Sequence, residues 1–240
     1  MHQGVQLQPG YILHQRAYRD TSLLIEVFAR EHGRIGLVAR GARAPKSRIR
    51  GLLQPFQPLL LSWSGRGELG TLSGVEAAVE SGAAAPRLSG ATLYSGFYLN
   101  ELLMRLLQRN DPHPELFTAY GQALRGLQAE PQRPLRLFEK HLLESLGYGL
   151  LLDHEADSGE PVSAEAEYVY ALESGPLRSD AGGTRGLKLS GRSLLSLAAE
   201  DLSDAQSLAD SKRLMRAALD LYLGGRELKT REVFAAITGR

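Results

Sequence analysis

Between Arg30 and Pro55 the chain carries Arg30, Arg34, Arg40, Arg43, Lys46, Arg48 and Arg50 against one acid, Glu31. Gly33, Gly36, Gly41 and Gly51 interrupt the run. Cations on a glycine-punctuated loop suit a phosphate backbone, which they hold by charge and by release of its condensed counterions. The whole chain of 240 residues has a formal net charge of only +1, so the deposit is local. Residues 1–82 hold 10 basic and 6 acidic side chains, residues 151–210 hold 4 and 12, and residues 211–240 hold 7 and 3. Two basic ends flank an acidic middle, which points to a polyanionic partner more directly than the overall charge does. Lys212, Arg213 and Arg216 form a second basic cluster, opposite Leu208, Met215, Leu219 and Tyr222 on one helix. That cluster is either the solvated face of an amphipathic helix or a second patch, continued by Arg226, Lys229 and Arg231.

Other chemistry is poorly supported. Gly65-Arg66-Gly67-Glu68-Leu69-Gly70 spells GxGxxG, but a dinucleotide site needs a strand before it and a helix N-terminus after it. A strand follows here, so a β-hairpin turn is the better reading. The six histidines make no HxH or HxxxH pair, and Asp153, His154 and Asp157 are surface-loop residues rather than a metal set. With no cysteine, disulfides and thiolate sites are excluded. No GxSxG or GKS/GKT occurs. The expectation is a protein that is not an enzyme, with no catalytic residues, cofactor or metal. No apolar run approaches the roughly 18–20 residues of a membrane span, and the N-terminus has no apolar signal core, so a cytoplasmic protein without membrane contact is expected, nucleoid-associated if its polyanionic partner is DNA.

The elements that must position these residues divide the chain. Gly10–Tyr18, Ser22–Arg30, Arg34–Gly41, Gln57–Ser64 and Leu69–Ala78 read as five short strands, the content of a small Greek-key barrel of the OB type. In Ser22–Arg30 the residues Leu23, Ile25, Val27 and Ala29 point one way and Leu24, Glu26, Phe28 and Arg30 the other. Ile35, Leu37 and Ala39 make the inner face of the next strand, and Arg34, Gly36, Val38 and Arg40 the outer. Gly36 there is either bare backbone for a ligand or a bulge or barrel corner. Trp63, on the face of Leu59 and Leu61, belongs to the core. Ala91–Arg109, apolar over most of its circumference, Pro114–Gln128 and Pro134–Leu146 read as helices, the last stopped by Gly147. One strand, Glu167–Leu172, stands in the acidic Leu151–Gly186 segment. A short helix follows at Ser190–Glu200, then a longer one opened by Ser203 and Gln206 and running to about Leu223, then Arg231–Ile237 capped by Thr230. The class is α+β: a five-stranded OB-type barrel over 1–82, and over 83–240 a mainly α-helical domain with an irregular β insertion at about 151–188. A linker is expected near Ser81–Ser89.

Arg34–Arg50 (RIGLVARGARAPKSRIR), Leu52–Leu61 (LLQPFQPLLL), Ala91–Leu103 (ATLYSGFYLNELL), Phe138–Gly149 (FEKHLLESLGYG) and Leu223–Phe234 (LGGRELKTREVF) together resemble the bacterial RecO recombination-mediator family over nearly the whole chain. The resemblance implies binding of single- and double-stranded DNA and annealing of complementary strands. It also implies work with RecR, and in some settings RecF, to load RecA onto DNA coated with single-stranded-DNA-binding protein (SSB), whose acidic C-terminal tail family members contact. Many members carry a four-cysteine zinc site; this chain has none, and packing alone is expected to hold the corresponding acidic segment. On this reading Arg34, Arg40, Arg43, Lys46, Arg48 and Arg50 line the DNA path. The SSB tail needs an apolar pocket with a cationic rim, for which Arg136 and Lys140, beside Leu135, Leu137, Leu142 and Leu143, are one candidate and Lys212, Arg213 and Arg216 another. The alternative is an OB-containing module for RNA or ribosome work, since a basic loop does not by itself distinguish DNA from RNA.

Overall fold

The computed structural model describes residues 4–65, 69–78, 87–179 and 186–238, and they fall into two compact units. One comprises Met1–Ala129 with Leu228–Arg240, the other Glu130–Glu227. The expected linker and the 82/83 boundary lie largely outside the described residues.

In the first unit β1 (Val5–Tyr18), β2 (Ser22–Ala29), β3 (Gly33–Ala39), β4 (Leu59–Ser64) and β5 (Leu69–Ala77) close a barrel in the order β1-β2-β3-β5-β4. This is the OB-type arrangement expected. Strand β1 starts five residues before the expected Gly10, because it serves two neighbours: Val5–Gly10 pairs with β4, and Gly10–Tyr18 with β2. The β3–β5 pairing is parallel and brief, Gly36–Val38 against Leu69–Thr71. Strands β4 and β5 are antiparallel, as the hairpin reading of Gly65–Gly70 requires, although 66–68 lie outside the described residues. Ile12, Ile25, Val27, Leu37, Leu59 and Leu61 fill the interior with Trp63.

The outer face of β2 is not solvated. Leu24, Glu26 and Phe28 are buried like their inward neighbours, because α1 (Gly90–Leu106) and α2 (Pro114–Gly126) belong to the same unit. Phe117 of α2 packs 5.5 Å from Phe28 and 5.2 Å from Tyr11, centroid to centroid. Asn100 of α1 is buried, donates to the carbonyl of Leu13 at 2.8 Å and accepts from the Tyr120 hydroxyl at 2.5 Å. One side chain thereby joins β1, α1 and α2. Helix α1 is one-sided: Gly96, Leu99, Asn100, Leu102 and Leu103 are buried while Phe97 is exposed, so its apolar circumference overstated its burial.

The C-terminal helix α6 (Lys229–Thr238) returns to this unit. It starts two residues before the expected Arg231, and Thr230 does not cap it. Glu101 of α1 does, accepting from Lys229 N at 3.0 Å, Thr230 N at 2.9 Å and Thr230 Oγ1 at 2.7 Å. Burial by itself raises the Glu101 carboxyl, but these hydrogen bonds and the charge of Arg105 outweigh it and lower the pKa. A depressed carboxylate contributes stability that is present above its unfolded value, about 4.3, and lost as pH falls through the folded value. Hydrogen exchange of the α6 amides is therefore expected to accelerate as pH drops below the ordinary glutamate range, once corrected for intrinsic rates. In Glu101→Gln the acceleration should already be present at neutral pH and the acid dependence flattened.

The second unit contains α3 (Gln132–Ser145), a sheet in the order β7-β6-β8, then α4 (Gly191–Ala198) and α5 (Ala205–Tyr222). Gly147, at φ +81°, ends α3 as expected, with Tyr148 N donating to Leu143 O at 2.8 Å. The sheet comprises β6 (Glu167–Ala171), β7 (Gly175–Arg178) and β8 (Leu187–Ser190); only β6 was legible, the other two being four residues each. The segment is not held by apolar packing alone. Buried Glu155 accepts from Ser158 Oγ at 2.7 Å and Tyr168 OH at 3.1 Å, with Arg178 at 3.7 Å. Helix α5 begins one residue later than the Ser203 box implied, since Asp204 accepts from Ser207 N at 2.8 Å. Among the described residues no helix is long and apolar enough to cross a membrane, and no group of three or more His, Asp or Glu is placed to hold a metal ion.

Candidate nucleic-acid interface

The loop after β3 consists of two interleaved sets. Ala42 and Leu53 are fully buried in the barrel core, with Ile49 packed against it. Arg43, Lys46, Arg48 and Arg50 fall between these anchors and are exposed, as is Arg40 at the end of β3. Tight backbone bonds fix the path: Ala44 N to Gly41 O at 3.1 Å, Ser47 N to Ala44 O at 3.0 Å and Leu53 N to Ile49 O at 3.1 Å. Arg43 N donates to Thr21 O at 2.8 Å, and its guanidinium to Arg19 O at 3.2 Å, which ties the loop to the β1–β2 turn. Five cations thus stand on a pinned loop, and none has an ion-pair partner among the described residues. Holding them apart and unneutralised has no structural benefit, whereas an approaching polyanion finds them already positioned.

Arg34 differs from the other five. Its side chain is 17% exposed and lies 3.8 Å from Glu26, which also pairs with Arg109. Burial lowers the Arg34 pKa; Glu26 opposes that and the positive neighbour Arg109 adds to it. Gly33 makes this cluster possible. At φ +64° it runs so close to Asp111 that a Cβ would sit 1.9 Å from the Asp111 carbonyl oxygen. That approach lets Asn110 N donate to Arg34 O at 3.0 Å and brings Arg109 beside Glu26. Gly36 is neither a bulge nor open backbone: it is buried, in unbroken register with Glu26.

One residue beside the loop escaped the sequence reading. Arg19, at φ +52°, places its guanidinium 5.2 Å from the Tyr18 ring centroid. With Thr21, Ser22, Val38 and Arg40 they line a groove of about 300 Å³ beside the loop. An aromatic face, two guanidiniums and hydroxyls in one groove suit a stacked base with its phosphate. The available signal was the Tyr-Arg pair at a two-strand turn.

The two rims considered for an acidic tail lie in the second unit, and most of their charge is already answered. Arg136 is 6% exposed and bonds Glu139 at 2.7 Å. Lys140 bonds Glu200 at 2.8 Å and Glu144 at 2.9 Å. Burial alone lowers the Lys140 pKa, yet these carboxylates outweigh it and raise it. On α5, Arg213 meets buried Asp210 at 3.0 Å, Arg216 reaches Asp220 at 3.9 Å, and Lys212 is exposed with no ion pair among the described residues.

Comparison with known proteins divides the chain at a different place from the two compact units, between residues 79 and 87. The family description "Recombination protein O N terminal" matches residues 1–79, and "Recombination protein O C terminal" matches 87–232. The "DNA repair protein RecO" of Alkalilimnicola ehrlichii is 52% identical over 234 residues, covering 96% of this chain and 91% of the relative. The protein of the same description from Azoarcus sp. (strain BH72) is 49% identical over 236 residues, 96% of each chain. That from Nitrosococcus oceani is 49% identical over 229 residues, covering 95% of this chain and 92% of the relative.

Proposed function

Since the chain belongs to the DNA repair protein RecO family, we propose that it is a recombination mediator: it binds single- and double-stranded DNA, anneals complementary strands and helps load RecA onto SSB-coated DNA together with RecR and, in some settings, RecF. The observation that carries this reading is the set of exposed, unneutralised cations Arg40, Arg43, Lys46, Arg48 and Arg50 on a loop pinned by Ala42, Ile49 and Leu53. Such a surface lowers the repulsion between two strands while leaving their base edges free to pair, which is the physical requirement for annealing. No step of it needs a catalytic residue. The acidic tail of SSB is assigned to the second unit, at Arg136 and Lys140 or at Lys212, Arg213 and Arg216, of which Lys212 offers an exposed charge with no ion pair among the described residues.

The test is annealing of complementary oligonucleotides precoated with SSB, using intact SSB and SSB lacking its C-terminal tail. Annealing that requires the tail is expected. Annealing indifferent to it would leave a basic OB protein without a mediator's protein contact, and none at all would refute the activity. Arg136→Glu is expected to weaken tail-peptide binding; an unchanged affinity would move the site to α5. A competition in which RNA displaces DNA of equal length at lower concentration would favour an RNA module instead.

A further inference from the structure

We infer that the groove where the β1–β2 turn meets the basic loop is a subsite for one unpaired nucleotide, whose base stacks on the Tyr18–Arg19 pair, and that this subsite gives the chain a preference for single over double strands. The inference rests on the nucleic-acid reading above and adds to it the feature that tells the two kinds of strand apart.

The groove holds about 300 Å³, the small end of the range of about 300–1,000 Å³ for ligand sites. Tyr18 and Arg19 supply its flat surfaces. The Arg19 guanidinium lies 5.2 Å from the Tyr18 ring centroid, a cation–π pair in which ring and guanidinium back one another. Bases stack on either kind of plane. Arg19 takes φ +52°, a left-handed conformation that glycine or asparagine adopts more readily. Such a conformation persists where the surroundings enforce it, and it clusters at ligand sites. Arg43 enforces it from the loop, donating through its backbone N–H to Thr21 O at 2.8 Å and through its guanidinium to Arg19 O at 3.2 Å. The lining adds the hydroxyl residues Thr21, Ser22 and Thr71 and contains no carboxylate; Asp20, the acid of the turn, is not part of it. Thr71 enters opposite Val38, while Leu69, where β5 begins, pairs farther off with Gly36. Neither Arg19 nor Arg40 has an ion-pair partner among the described residues.

Arg40 and Gly41 line the groove and also open the basic loop. A phosphate held by Arg40 or Arg43 therefore stands beside a groove that can take its own base. In a duplex each base is paired and stacked on both sides, and extracting it costs unstacking and unpairing. A duplex thus meets the loop through its phosphates and leaves the groove empty, whereas a single strand uses both. Every base has a π face, so the subsite selects the state of the strand and not its sequence. Annealing inherits a direction from this. Pairing withdraws the base from the groove, so the annealed product is held less tightly than the strands that formed it.

The experiment measures binding of the full chain, by fluorescence anisotropy at one salt concentration, to three probes of equal length: oligothymidylate, an abasic oligonucleotide with the same phosphates, and a duplex. The wild type is expected to bind oligothymidylate about tenfold more tightly than the abasic strand, the size of one base–aromatic stack. Tyr18→Leu and Arg19→Lys are each expected to bring that ratio towards one, with duplex affinity unchanged. Tyr18→Phe keeps the ring and should keep the ratio. Arg19→Lys keeps the charge and loses only the plane of an exposed side chain, so it holds the test valid even where Tyr18→Leu unfolds. A ratio near one in the wild type, or one undiminished in both Tyr18→Leu and Arg19→Lys, overturns the subsite while leaving the basic loop in place. A fall in duplex affinity as large as that for oligothymidylate overturns the strand selectivity. Failure of the wild type to bind any of the three probes defeats the nucleic-acid reading, and the subsite with it.

Discussion

Alanine at Arg43, Lys46 and Arg48 together lowers the slope of log Kobs against log[salt] for oligothymidylate by about 2, since each single-strand phosphate contact contributes about 0.7. The affinity deficit of the variant is largest at low salt. It closes by about 20-fold between roughly 50 and 200 mM, as the counterion term that the three cations supply is lost from the wild type too. The three side chains are exposed, and only Arg43 donates a side-chain hydrogen bond, to Arg19 O at 3.2 Å. Thermal stability should therefore change by no more than about 0.5 kcal/mol, which separates this result from misfolding. Filter binding or fluorescence anisotropy across a salt series measures the slope, and a slope equal to the wild type's would remove the loop from the DNA path. Sequence preference should be unchanged, because phosphate contacts carry charge and not base identity.

Asn100→Ala is expected to destabilise the first unit by about 2–4 kcal/mol. It takes the donor from a buried Leu13 carbonyl, at about 1–3 kcal/mol for a buried group deprived of its partner, and removes an acceptor from the fully buried Tyr120 hydroxyl. Burial holds the Tyr120 phenol well above its ordinary pKa, with Tyr11 nearby adding to the effect, so it cannot relieve the loss by ionising. Tyr120→Phe alone costs less, because only the hydroxyl is removed. In the double variant the two effects are sub-additive, since both report the same hydrogen bond. Denaturant unfolding at neutral pH measures all three. Strict additivity would mean that the two side chains do not act as one latch between the helices and the barrel.

Much of the barrel was legible because its interior obeys a period of two. Ile25, Val27, Ile35, Leu37, Leu59 and Leu61 alternate with their neighbours, and all turn inward. The basic loop was legible for a related reason: charge clustered against a nearly neutral chain has no place in a core, and Arg40, Arg43, Lys46, Arg48 and Arg50 are indeed outside it. Arg19 was not, since a turn residue in a left-handed conformation leaves no periodic trace. The four-residue strands β7 and β8 are too short to show an alternation, and they exist because β6 pairs with each of them.

By itself, then, the sequence determined the class of fold, the number and order of barrel strands, most helices to within a few residues, and a surplus of positive charge after β3, all of which follow from local composition and periodicity. Which of those charges remain exposed was decided only by tertiary structure. Arg34 has the same residue type and strand face as Arg40, but at its end of β3 the outer face also meets Met104 and Arg109, and Glu26, diagonally across on β2, draws it in. Likewise Glu101 and Thr230 lie 129 positions apart, and nothing local to either foretells that one caps the helix of the other. Burial and charge pairing depend on which segments the closed chain brings together, and that is a property of the fold rather than of any window of residues.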